Sequence, residues 1–196
     1  MLDKLQREDL YTLEQYAEMR SEFRQRMKTH KRDRIVHIGP NATLHFEDRL
    51  TMQYQIQEVL RTEKIFEPLG IQEELDVYNP LIPDGSNWKA TLMIEYEDVE
   101  ERQRQLAKMV GIEDKIWVRV DGLDRVWAIA DEDLERENEQ KTSSVHFLRF
   151  ELTRAMVDAA HNQANISVGI DHDAYRHALD PLPSSIRDSL VADLAT

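Results

Sequence analysis

Apolar positions recur at helical spacing near the start of the chain. Leu13, Tyr16, Phe23 and Met27 fall on one stripe of a helix expected over residues 13–28. Thr12 is placed to cap it, with Gln15 three residues on as the reciprocal partner of a capping box. The pattern then shortens. Residues 35–38 and 43–46 read as two strands, separated by the turn chemistry of Gly39-Pro40-Asn41. Helical spacing returns over 51–66, with Met52, Ile56, Val59 and Leu60 as the buried stripe. It recurs over 71–78, with Ile71, Leu75 and Tyr78 on one side. Asn79-Pro80 stops this helix, because the residue before proline avoids the helical region.

Residues 90–96 predict a strand, and Asp98 with Glu101 can cap a helix that ends at Gly111. Segments 116–120 and 126–130 flank Asp121-Gly122, a hairpin signal. Residues 131–141 are almost entirely charged and polar and read as an exposed loop. Residues 145–152 are apolar on both parities, which predicts a central strand covered on both faces. A helix over 153–162, a strand over 166–170 and a helix over 173–179 follow. Beyond Asp180 come Pro181, Pro183 and Ser184-Ser185, then a weakly amphipathic turn over 186–194. Hairpins mixed with helices, without regular βαβ alternation, place the fold in the α+β class. The expectation is a mostly antiparallel sheet built from hairpins, with helices packed on it and a long N-terminal helix. One domain is expected over 1–180, with 181–196 as a C-terminal tail able to dock.

Composition narrows the partners. The 196 residues carry a formal net charge of -13, which favours solubility and repels nucleic acid and anionic lipid. Nucleic acid is therefore an unlikely partner unless one face is locally basic. Arg24, Arg26, Lys28, Lys31, Arg32 and Arg34 do crowd the end of the first helix. Cations at the negative end of a helix dipole account for them as capping; an anion or partner site is the sharper alternative. The chain has no cysteine, which excludes disulfides, thiolate metal sites and a cysteine nucleophile. The first ten residues lack the apolar stretch of a signal peptide, and no run of 18 apolar residues occurs. A cytoplasmic location with no membrane partner is the expectation.

Catalytic signatures are absent. There is no glycine-rich phosphate loop, no Gly-x-Ser-x-Gly elbow and no Glu-x-x-His pair. His37 and His45 share a strand face only in one hairpin register, and no third ligand stands near them in the sequence. No metal ligand set and no cofactor is assigned. One polar constellation stands out. Gln57, Glu58 and Arg61 lie on the 51–66 helix, and Glu73, Asp76, Tyr78 and Asn79 on or just after the next. Consecutive helices joined by a short loop often pack antiparallel, which would gather acids, amides and an arginine. Such a set forms either a small-ligand or divalent-metal pocket or a helix–helix ion-pair network. Arg149 points with Val145 and Phe147 on its strand and needs a carboxylate or a ligand anion, with Glu95 as one candidate.

The string Gln55-Ile56-Gln57-Glu58-Val59-Leu60-Arg61-Thr62-Glu63-Lys64-Ile65, followed by Glu74-Leu75-Asp76-Val77-Tyr78-Asn79-Pro80-Leu81-Ile82-Pro83, resembles the bacterial family called domain of unknown function 3501. The resemblance extends to Asp9-Leu10, Glu14, Tyr16 and Arg20, to Gly39-Pro40 and Leu44-Phe46-Glu47, and to Ala90-Thr91-Leu92. It continues in Leu148-Arg149-Phe150 and in Asp171-His172 with Tyr175, so it covers nearly the whole chain. His146 stands where the family pattern leads one to expect an amide. The resemblance implies an accessory role in a redox or oxidative-stress module, with rubrerythrin-like and iron–sulfur reductase-like proteins as partners. It adds weight to Gln57, Glu58, Arg61, Glu63, Asp76, Tyr78, Asn79 and Arg149 without supplying a chemistry. Two readings stay open. One is an accessory protein docking on a redox partner, which predicts an exposed apolar patch on the order of several hundred Å². The alternative is a small-ligand or divalent-metal-binding enzyme using a polar pocket between the 51–66 and 71–79 helices. Homo-oligomerisation is left open.

Overall fold

The computed structural model describes residues 4–130 and 142–195; the exposed loop expected over 131–141 lies outside them. Helix α1 spans Leu13–Arg32 and carries the Thr12–Gln15 capping box. Strands β1 (Ile35–Ile38) and β2 (Ala42–Glu47) form the expected hairpin. Helix α2 (Arg49–Glu63) starts two residues early because Asp48 caps it, accepting from the Thr51 amide at 2.8 Å. Helix α3 (Pro68–Tyr78) begins with proline in its first turn, where the missing N–H is not needed.

Strand β3 (Asn87–Ile94), helix α4 (Val99–Lys108) and strand β4 (Ile116–Val120) follow. The segment expected to be one strand over 126–130 is divided at Ala128. Strand β5 (Arg125–Trp127) pairs with β4, whereas β6 (Ile129–Ala130) pairs with β7 (Val145–Glu151). The break at Ala128 lets the chain leave one sheet and join another. Helix α5 (Arg154–His161), strands β8 (Ile166–His172) and β9 (Tyr175–Leu179), and helix α6 (Ser184–Val191) complete the described chain.

The expected antiparallel sheet is present as two sheets, ordered β1-β2-β3-β7-β6 and β5-β4-β8-β9, with antiparallel pairing at each neighbour. Strand alternation turns Val36, Leu44, Phe46, Trp88, Leu92 and Phe150 of the first sheet inward. Ile116, Val118, Ile166, Val168 and Ile170 of the second meet them in one core. Strand β7 is central, between β3 and β6, as expected of residues 145–152, but the expected cover on both faces fails. His146, Leu148 and Phe150 are buried, while Val145, Phe147 and Arg149 are half-exposed. The helix expected over 173–179 is strand β9. Tyr175, Ala178 and Leu179 imitate helical spacing, but residues 176–178 of this edge strand face solvent, and pairing with β8 decides its conformation. Tyr175 also reaches across to the first sheet: its hydroxyl donates to the Ile38 carbonyl at 2.6 Å and accepts from the Asn41 and Ala42 amides.

Beyond Asp180 the chain packs on this core. Leu182, Ile186, Leu190 and Leu194 are buried in it, and Trp88 donates its indole N–H to the Leu190 carbonyl at 2.8 Å. Outside the two-sheet core, α1, α2 and α3 form a helical layer with apolar clusters of its own. One gathers Leu5, Met52, Ile56, Leu60, Leu75 and Ile82, the other Tyr16, Phe23 and Met27. No helix among the described residues is long and apolar enough to cross a membrane.

Candidate functional site

The helical layer holds seven of the eight polar residues singled out above, in separate settings. Gln57 is fully buried. Its Oε1 accepts from the Tyr11 amide at 2.6 Å and its Nε2 donates to the Tyr11 carbonyl at 3.3 Å. Asn79 treats Leu5 in the same way, accepting from its amide at 2.8 Å and donating to its carbonyl at 2.9 Å. Lys4 adds donations to the carbonyls of Asn79 and Ile82. These amides pair with the N-terminal segment as a neighbouring strand would, and strap it across α2 and α3.

Glu58 faces α1. It accepts from the Tyr16 hydroxyl at 2.6 Å and takes two hydrogen bonds from the Arg20 guanidinium at 2.8 Å each. Arg20 first, and Tyr16 with it, holds the Glu58 carboxyl below its ordinary range. Burial, then Glu58, pushes the Tyr16 phenol well above its own. Ionised Glu58 beside Arg20 orients and anchors; it makes a poor general base.

The remaining candidates do not join this pair in one hollow. Glu73 and Asp76 are exposed on the outer side of α3, where Asp76 accepts from Gln72 at 2.8 Å. Tyr78 is half-buried against the Leu5–Ile82 cluster. Arg149 lies on the five-stranded sheet and pairs with Glu151 of its own strand; the expected partner Glu95 is not used. It stands directly opposite Lys89, whose ammonium is lowered by burial and by Arg149. His37 and His45 share a face in the observed register, and His37 pairs with Thr43 at 3.1 Å. Among the described residues no group of three or more His, Asp or Glu side chains is placed to hold a metal ion.

Two hollows border α2. A cavity of about 240 Å³ lies between the N-terminal segment, α2 and α3, lined by Leu10, Tyr11, Leu60, Ile65, Phe66 and Ile71 among others. None of the eight candidates lines it. A wider groove of about 780 Å³ runs between α1 and α2, and Arg61 is on its wall with Arg20, Arg24, Lys28, Lys31 and Tyr54. Phe66, which lines the first cavity, and Leu69 and Val77 of α3 make an apolar ridge, 68%, 72% and 63% exposed. Sequence reasoning passed over this ridge because Leu69 and Val77 fall off the buried Ile71–Leu75–Tyr78 stripe. Apolar residues off the stripe were the available signal. It also passed over Tyr16 and Arg20 as partners of Glu58, since nothing in local spacing pairs residues so far apart in the chain.

A family model described as Protein of unknown function (DUF3501) matches residues 4–194. A crystal structure described as a novel protein of unknown function from Burkholderia pseudomallei is 50% identical in sequence. It covers 98% of this chain and 100% of its own, with a TM-score of 0.93. No curated protein matches.

Proposed function

The chain belongs to the DUF3501 family, and we propose that its member described here is an accessory protein that docks a folded partner on its helical layer. The observation that carries this reading is the ridge of Phe66, Leu69 and Val77, each more than three-fifths exposed, with Leu69 and Val77 about two turns apart on α3. Large apolar side chains scattered singly over a surface need no explanation, but three exposed within twelve residues, the first of them lining an apolar cavity, are what a protein interface uses. Glu67, Glu73 and Asp76 of the same stretch are exposed, with Glu73 between Leu69 and Val77 on the helix. The complementary surface is therefore an apolar socket with a basic rim. The redox character of the partner rests on the family resemblance: rubrerythrin-like and iron–sulfur reductase-like proteins are the first to test.

The placement of Gln57 and Asn79 favours this reading over a polar ligand pocket. Both amides are engaged at oxygen and nitrogen by backbone groups, and Glu73 and Asp76 turn outward. The test is binding of purified rubrerythrin-like and iron–sulfur reductase-like proteins from the same source, measured by biolayer interferometry. One of them binds, and Phe66→Ser with Leu69→Ser weakens it at least about tenfold, while Val99→Ser, an exposed apolar change on α4, leaves it unaltered. No binding by either protein, or binding indifferent to the ridge, removes the proposal.

A further inference from the structure

The groove between α1 and α2 is basic in a chain whose formal net charge is -13. Arg20, Arg24, Lys28 and Lys31 follow one another down a single side of α1, and Arg61 faces them from α2. Glu18 and Glu22, the acids in the middle of α1, fall on the opposite side of the helix. Helix-dipole capping explains cations in the last turn, namely His30, Lys31 and Arg32. It does not reach Arg20, Arg24 or Lys28, because the dipole effect fades within one turn of the end. Arg24 and Lys28 make no ion pair among the described residues. Glu58 holds Arg20 rigid at one end, and Lys31 lies over the Tyr54 ring, 5.8 Å from its centroid, at the other.

We infer that this groove binds an extended acidic segment of a protein partner. Arg20, Arg24 and Lys28 sit about 6 Å apart along the helix, from a rise of about 1.5 Å per residue over four residues, and Lys31 follows about 4.5 Å on. Same-side residues of an extended chain repeat every ~6.7 Å, close enough for alternate carboxylates to meet successive cations. Glu58 already offsets Arg20, so the uncompensated row from Arg24 to Lys31 runs about 10 Å, the length of roughly three extended residues. Tyr54 and Met27 supply apolar wall for the stem of the bound chain. A nucleic acid fits less well, since a continuous polyanion must run past the groove over a surface of net negative charge. The groove and the Phe66–Leu69–Val77 ridge are separate surfaces, so either inference can fail while the other stands.

The test uses the full chain and fluorescence anisotropy with a fluorescein-labelled hexaglutamate peptide, against a single-stranded hexanucleotide probe. The peptide is expected to bind at low salt and to weaken as salt is raised through about 0.15 M, where charges are screened beyond about 8 Å. Arg24→Glu with Lys28→Glu should weaken it at least about tenfold. Arg104→Glu, on α4 and away from the groove, should leave it unchanged. Both reversed positions are exposed, and circular dichroism confirms that the fold is kept. The inference is overturned if no peptide binds at low salt, if the reversal has no effect, or if the oligonucleotide binds as tightly as the peptide.

Discussion

Gln57 grips Tyr11 by both halves of its backbone, with Oε1 on the amide and Nε2 on the carbonyl. The side chain comes from the buried side of α2, so the segment ahead of α1 is tied to the helical layer before α1 begins. Asn79 repeats the grip on Leu5. Replacing Gln57 with Leu leaves two backbone groups without partners and should cost about 2–3 kcal/mol in urea unfolding. Asn79→Leu should lose a similar amount. The double variant should lose less than the sum, because both grips restrain one segment. Full additivity would mean that Leu5 and Tyr11 are held independently.

Arg34 is buried and binds the Phe46 and Glu47 carbonyls, the Ser189 carbonyl and hydroxyl, and Asp193 at 2.5 Å. It joins the start of β1 to the chain just beyond α6. Asp48 lies 3.4 Å from the same guanidinium and is itself paired with His30 at 2.6 Å. Arg34→Met strands Asp193 without its cation, leaves Asp48 with His30 alone, and should cost about 3–5 kcal/mol, read as a drop in Tm.

Burial pushes the Asp193 carboxyl up to about 6, with Asp48 adding to the rise and Arg34 and His30 opposing it. A raised carboxyl pKa means the folded state holds the proton more tightly than the unfolded one. Its contribution to stability is full below the ordinary value near 3.8 and is lost as pH rises to about 6. Asp193→Asn keeps the neutral shape at every pH. The stability of the natural chain relative to this variant should therefore fall between pH 4 and pH 6 and level off above. A flat difference across that window would show that Asp193 titrates normally.

Tyr175→Phe removes one donor and one acceptor shared by Ile38, Asn41 and Ala42. The expected loss is about 1–3 kcal/mol. Amide hydrogen exchange should quicken at Ala42 more than at Val168 in the middle of β8, which separates local loosening of the β1–β2 turn from general destabilisation.

Gly169 pairs directly across from Trp117, whose indole fills the space a β-carbon would need, and Ala178 crowds it from the other neighbouring strand. Gly169→Ala should destabilise by about 1–3 kcal/mol through overpacking. It should also shift the tryptophan emission, since Trp117 would leave its contact with the Arg125 guanidinium, now 4.1 Å from the ring centroid.

How much of this was legible in the sequence depends on how local the cause is. The Thr12–Gln15 capping box, the α2 stripe of Met52, Ile56 and Leu60, and the Asp121-Gly122 turn each arise within a few residues, and spacing alone announced them. Residues 173–179 were misread because an edge strand needs its neighbour to declare itself. The outward side of β7 was misread because apolar residues do not say how much of a sheet face its neighbours cover. For the site, residue types were read better than their partners. Gln57, Glu58 and Asn79 stood out as polar residues on, or just after, helices with a buried stripe. Their partners Tyr11, Arg20 and Leu5 lie 46, 38 and 74 positions away.

The order of polar and apolar side chains by itself determined the α+β class, the long first helix, the hairpins and the row of cations on α1. These follow from backbone periodicity and capping, which act over a turn or two. Tertiary structure alone decided that the strands divide into two sheets, that Arg34 ties α6 to β1, and that Arg61 faces the α1 cations across a groove. Those relationships depend on which buried surfaces find one another, and contacts between distant segments leave no mark in local spacing.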